Sequence, residues 1–272
     1  MQLFKTFALL ILASLIGGCS LLQGGKLLTP ESFGLHPIAP NLYVENGMSE
    51  AAQDQLRAAM SQAEAAVKSA YGNVLSRPTV NACISEACYE SFGGHGSVAK
   101  VYGNRILLSP RGLNWHYLAH EWSHAELRTR LTLGAWWHIP QWFDEGLAVA
   151  VSDAPEHSEA HWQFLANARI PCPSSEELYS FQSLKQWNEA VGRFGEKMNE
   201  ARRTKGEPEI HPVYAAAGHE VRSWLAQVGT DGLLAVIQQL DRGELFIPAY
   251  LASNFQVETQ AASRAVGPRS AL

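Results

Sequence analysis

The sequence predicts an α+β fold, and three observations carry that expectation. Short runs with two-residue alternation fall between residues 78 and 109. From residue 113 onward, apolar positions recur three and four apart. Strand-like runs thus precede most of the helical ones instead of interleaving with them, which is the order of an α+β chain and not of a βαβ repeat.

Residues 1–18, MQLFKTFALLILASLIGG, set Lys5 before an apolar run from Phe7 to Ile16 and two small residues. That is the layout of a secretory signal. Ile16-Gly17-Gly18-Cys19 resembles the lipobox of bacterial lipoproteins, which implies cleavage before Cys19 and its lipidation; Ser20 resembles the sorting residue of those held at the outer membrane. Residues 19–40, with Gly24, Gly25, Pro30, Gly34, Pro37 and Pro40, are expected to form a tether. The expected location is therefore the bacterial envelope, facing the periplasm, with the lipid as the sole membrane contact.

Residues 49–71 place Ala52, Leu56, Met60, Ala63, Val67 and Ala70 on one helical face, with Ser49 as cap. Residues 78–84 alternate as a strand, and runs at 97–102 and 104–109 are joined by Gly103-Asn104 turn chemistry. Helices are expected over residues 113–130, 140–151, 159–168, 212–228 and 231–240, with a polar stretch at 192–208. Of the cysteines after Cys19, Cys83 and Cys88 are the pair closest in sequence, and an oxidising compartment favours a disulfide there over a zinc role for the pair, though Cys172 leaves other pairings open.

A composition of 46% hydrophobic and 17% charged residues is that of a packed chain and excludes a disordered tail. A formal net charge of −5 argues against nucleic-acid binding, which needs a basic surface.

The chemistry concentrates in His120-Glu121-Trp122-Ser123-His124, inside the helix expected at 113–130. Residues i and i+4 lie one above the other on a helix, so both imidazoles can reach one metal ion. Glu121 lies about 100° around the helix, placed to take a proton and not to ligate. A catalytic zinc commonly has three protein ligands and one open position. With twenty residues between it and His124, Glu145 opens Glu145-Gly146-Leu147-Ala148.

The two motifs together resemble the gluzincins, the thermolysin- and aminopeptidase-N-like zinc metallopeptidases. The resemblance implies a zincin-like domain over residues 41–272, with a strand-bearing lobe to about 155 and a helical lobe after it, the two walling a cleft. It implies one Zn2+ held by His120, His124 and Glu145, and hydrolysis of peptide bonds by zinc-activated water with Glu121 as general base. Tyr214 resembles the oxyanion-stabilising tyrosine of the aminopeptidase-N branch, with Arg222 on the same helix; His211 and His219 are its rivals, since the thermolysin branch uses a histidine. The resemblance also implies that the strands at 97–109 supply an edge for extended substrate. The Gly-x-Met-Glu-Asn amine-binding pattern of aminopeptidase N is missing there, and Val149 stands where thermolysin-like enzymes carry a carboxylate.

Around this core, His116 is a packing or supporting residue, Asp144 or Asp153 a candidate orienter of a ligand histidine, and Trp136-Trp137-His138 a loop pinned to the core, with the lining of a substrate pocket as its alternative role. The expected partner is a peptide or protein of the envelope. The alternatives are a non-catalytic zinc-binding lipoprotein that holds a protein partner, and an amidase acting on peptidoglycan.

Overall fold

The computed structural model describes residues 25–253; the expected signal peptide and Cys19 lie outside the described residues. The fold is α+β. Five strands, β1 (Leu35–Ala39), β2 (Leu42–Glu45), β3 (Thr79–Ala82), β4 (Ala99–Tyr102) and β5 (Arg105–Leu108), form one mixed sheet in the order β1-β2-β3-β5-β4. Helix α1 (Glu50–Tyr71) follows β2, α2 (Glu86–Ser91) follows β3, and α3 (Trp115–Arg130) follows the sheet. The chain then runs through α4 (Leu133–Trp136), α5 (Gln141–Ser152), α6 (Glu159–Asn167), α7 (Ser175–Tyr179), α8 (Leu184–Arg193), α9 (Asn199–Thr204) and α10 (Pro212–Asp241).

Two compact units divide these elements. The first takes the described residues up to 63 together with 76–125; the second takes 64–75 and the described residues from 126 onward.

In the first unit, β2, β3 and β5 run parallel, while β1 and β4 pair antiparallel on the two edges. The β4–β5 hairpin turns at Gly103, whose φ of +63° is a left-handed conformation that glycine adopts without penalty. The Gly and Pro content of residues 19–40 predicts a tether, and for residues 25–40 the structure corrects this. Leu27 and Leu35 are 1% and 2% exposed and pack with Cys83, Tyr89, Phe92 and Leu107. A 3-10 turn at Pro30–Phe33 ends on Gly34 at φ +88°, and the glycine delivers the chain into β1. Arg105 Nε donates to the Leu27 carbonyl at 2.9 Å, which fastens the segment to β5.

Cys83 and Cys88 are joined by a disulfide, with Cα atoms 5.6 Å apart. The bridge closes the turn into α2, where Ser85 Oγ accepts from the Cys88 amide at 3.1 Å and the Glu45 carboxylate accepts from the Ile84 and Ser85 amides at 2.7 and 2.9 Å. Because the loop is so short, replacing both cysteines by serine should destabilise the protein by only about 2 kcal/mol. The urea midpoint of the double variant, compared with wild type under oxidising and reducing conditions, measures this; no difference would show that the bridge constrains nothing. Among the described residues Cys172 is the free cysteine, and burial pushes its thiol up to about 11, so it is a poor nucleophile.

The second unit is helical and is organised by α5 against α10. Ten of the twelve residues of α5 are buried, an all-round burial that accounts for its apolar run from Gly146 to Val151. Trp142 and Phe143 enter an aromatic cluster with Tyr179, Trp224, Phe246 and Tyr250, the ring pairs lying 4.7–5.9 Å apart and mostly edge-on. Close approach of α5 to α10 requires glycine on both: a Cβ at Gly146 would stand 2.7 Å from the Ala217 carbonyl oxygen and 2.7 Å from a Val221 methyl, and one at Gly218 would collide with Val149. This contact draws α5 into the helical unit, whereas the sequence places residues up to about 155 with the strands. Helix α10 breaks at Gly229, φ +65°, between the two helices expected at 212–228 and 231–240. Among the described residues no helix is long and apolar enough to cross a membrane.

Candidate metal centre

Helix α3 starts where Asn114 Oδ1 accepts from the His116 and Tyr117 amides at 3.0 and 3.3 Å, capping otherwise orphaned donors. Leu118 and Ala119 are fully buried and Trp122 is 2% exposed, its indole N–H donating to Ser76 Oγ at 2.9 Å. That burial fixes the rotation of the helix. His120 and His124 consequently share a face, with ring centroids 4.9 Å apart and the rings edge to face. Glu121 and His124 are each 9% exposed. His116 packs on the neighbouring indole of Trp115, ring centroids 3.9 Å apart.

The far end of α3 is anchored by a buried ion pair. Glu126 accepts from Arg130 Nε at 2.8 Å and from the Leu75 amide at 2.9 Å. Arg130 also donates to the backbone carbonyl and side chain of Asn73 and lies over the Tyr71 ring.

Three groups of the first unit that the sequence does not flag lie within electrostatic reach of Glu121. The charge of Glu121 acts on Tyr89, Lys100 and Tyr102. Burial lowers the Lys100 ammonium below its ordinary value, and Glu121 opposes that shift. Lys100 and Tyr102, two apart on β4 and so on one face, both donate to the Gly93 carbonyl, at 3.4 and 3.0 Å. Strand β4 is an edge of the sheet, as the resemblance implies for residues 97–109.

In the second unit, Glu145 is 8% exposed on α5 and its Oε1 accepts from Gln141 Nε2, one turn earlier, at 3.0 Å. One ligand atom from each of His120, His124 and Glu145 lies within 4.8 Å of the other two. Two imidazoles and a carboxylate are a donor set that suits zinc, and the spacing admits a single ion. The residues present therefore fit the metal that the sequence implies. A second cluster of possible ligand atoms, Glu45 with Cys83 and Cys88, is spoken for by the disulfide.

Tyr214 is the third residue of α10, stacked on the His157 ring (centroids 4.9 Å, 18° between planes) and met edge-on by Trp187 at 5.0 Å. Its two rivals have other partners. His219 pairs with Glu159 at 2.8 Å and stacks on Trp162. His211 lies between Glu196 and Glu209, each 3.7 Å away. Arg222 donates to the His157 carbonyl at 2.7 Å and lies 3.9 Å from Asp153, the left-handed residue that ends α5. Asp153 closes the helix through its backbone, its N–H donating to the Val149 carbonyl, while Asp144 is buried beside Glu145. Trp137 is 76% exposed, which corrects the expectation that the 136–138 cluster is pinned to the core; α4 is one turn long, and only Ala135 of it is buried.

Comparison with protein-family models, characterised proteins and solved structures found no match.

Proposed function

We propose that the protein is a zinc-dependent hydrolase of peptide bonds in the bacterial envelope, of zincin-like fold. The observation that carries the reading is the convergence of His120, His124 and Glu145 to within 4.8 Å, with Glu121 next to the first ligand and outside the ligand set. His120, His124 and Glu145 hold the ion. Bound there, zinc would supply Lewis acidity, favouring ionisation of water and polarising a substrate carbonyl.

The chain's own groups do the rest. Glu121 takes the proton of the attacking water and returns it to the leaving amine. The Tyr214 hydroxyl donates to the oxyanion of the tetrahedral intermediate, a contact that strengthens as charge develops. As an edge strand, β4 would receive an extended peptide along its outer border. The Cys83–Cys88 bridge supports an oxidising compartment, consistent with lipidation at Cys19 and an outer-membrane anchor facing the periplasm.

Elemental analysis of the protein from residue 20 onward, beside a Glu145→Ala variant, tests the site. About one zinc per chain is expected in the wild type. Loss of the carboxylate ligand should leave little or none after dialysis. Equal zinc in both proteins would remove Glu145 from the ligand set, and no zinc in the wild type after supplementation would end the hydrolase reading.

A further inference from the structure

The second unit buries a carboxylate that the proposed reaction does not use. Glu196 is 7% exposed and follows Gly195, whose φ of +87° turns the chain inward at a 3-10 turn, Glu196–Met198. Its Oε1 accepts from the Val213 amide at 2.5 Å, and the Tyr214 amide also bonds the carboxylate. These are donors of the first turn of α10, which has no side-chain cap of its own at His211. Oε2 lies 3.7 Å from His211 Nδ1.

His211 is in turn held from its other sides. Its amide donates to His161 Nε2 at 3.1 Å, and Asn199 Nδ2 lies 3.3 Å from its Nε2. Asn199 also closes a pair of bonds with the Ile210 backbone, at 2.8 and 3.0 Å. The chain entering α10 is therefore gripped at Ile210, His211, Val213 and Tyr214, on either side of Pro212, and Tyr214 is the last of them.

We propose that Glu196 is a positioning residue: its buried carboxylate, backed by His211, grips the first turn of α10 and so sets the Tyr214 ring in the slot between His157 and Trp187. The inference rests on the reading of Tyr214 as the oxyanion donor. Tyrosine is a long lever, and a small rotation of the helix start would carry its hydroxyl away from a developing charge.

The energetics separate this role from a purely structural one. Burial is the largest influence on Glu196 and raises its carboxyl above the ordinary range; His211 and the two amides pull the other way without cancelling it. With the folded-state pKa above the unfolded one, the group favours folding most at low pH. That contribution is lost as pH rises from the unfolded toward the folded value. The facing groups are His211, with Glu209 and His161 beyond it, and the Cys172 thiol, which feels the Glu196 charge. A neutral isostere should then cost no stability at neutral pH. A residue kept only for stability would behave in the opposite way.

The test uses Glu196→Gln in the zinc-loaded protein with ring-labelled tyrosine, Tyr214→Phe supplying the resonance assignment. Expected are an unchanged or raised thermal midpoint at pH 7.5, one zinc per chain, and a Tyr214 ring signal that loses the ring-current shift of its slot. Turnover of a labelled unfolded protein should fall by about tenfold, mainly in kcat, the size of a lost charge-assisted contact. A Tyr214 signal identical to wild type overturns the proposal, as does a fall in thermal midpoint that accounts for the lost turnover. The ring signal is read independently of hydrolysis. If wild type shows neither zinc nor turnover, the hydrolase reading fails while the ring signal still decides whether Glu196 positions Tyr214.

Discussion

Replacing Glu121 by glutamine is expected to lower turnover by roughly 10²–10⁴-fold while zinc stays bound. Glutamine has the same shape, so the helix and the flanking histidines are undisturbed. What it lacks is the capacity to accept a proton from water and carry it to the leaving nitrogen. Glu121 is suited to that work because it is 9% exposed and adjacent to His120 without sharing the ligand face. Steady-state turnover of a fluorescein-labelled unfolded protein, with zinc content measured on the same samples, checks the expectation. Full activity in the variant would mean that another group is the base. The same variant also separates the proposal from a zinc-dependent binder, because a binder's partner would be retained with equal biological effect.

The second large effect is expected at Gly146. Its backbone lies so near α10 that a Cβ meets the Ala217 carbonyl oxygen, which is main chain and cannot rotate aside. Gly146→Val should therefore push α5 from α10 and cost about 1–3 kcal/mol or more, as overpacking of a fitted contact does. Because Glu145 is the preceding residue on the same helix, the displacement should also weaken zinc. A urea denaturation series with zinc titration measures both quantities. Gly134 is the control: a Cβ there meets nothing within 4 Å, so Gly134→Ala should change stability by about 0.5 kcal/mol or less. If the two substitutions behaved alike, the close helix contact would not be what holds Glu145 in place.

Much of this arrangement was legible from residue spacing. The i and i+4 histidines needed only the helical period, and the β4–β5 hairpin needed only alternation and the Gly103 turn. The break in α10 showed because Gly229 interrupts two apolar stripes. Strands β1 and β2 were hidden, since each is four or five residues long and Pro37 and Pro40 argue locally for a loop. Their stability comes from partners distant in sequence, such as the burial of Leu35 against Leu107, and no local pattern encodes that. Glu196 was hidden for the same reason: within the polar stretch 192–208 it looks like any solvated acid, and only the fold brings the Val213 amide to it. Gly146 was visible as part of a motif, but the reason for a glycine there appeared only with α10 beside it.

The two borders of the sheet are unequal, and this bears on how the molecule could assemble with itself. On β1, Pro37 has no N–H to offer, and the register slips between Pro37 and Ala39, so that border is a poor template for another strand. The β4 border carries no such block. Any association of copies strand to strand would consume the β4 border of each and leave only blunted borders outward. Growth by this route ends at a twofold pair and cannot extend into a filament.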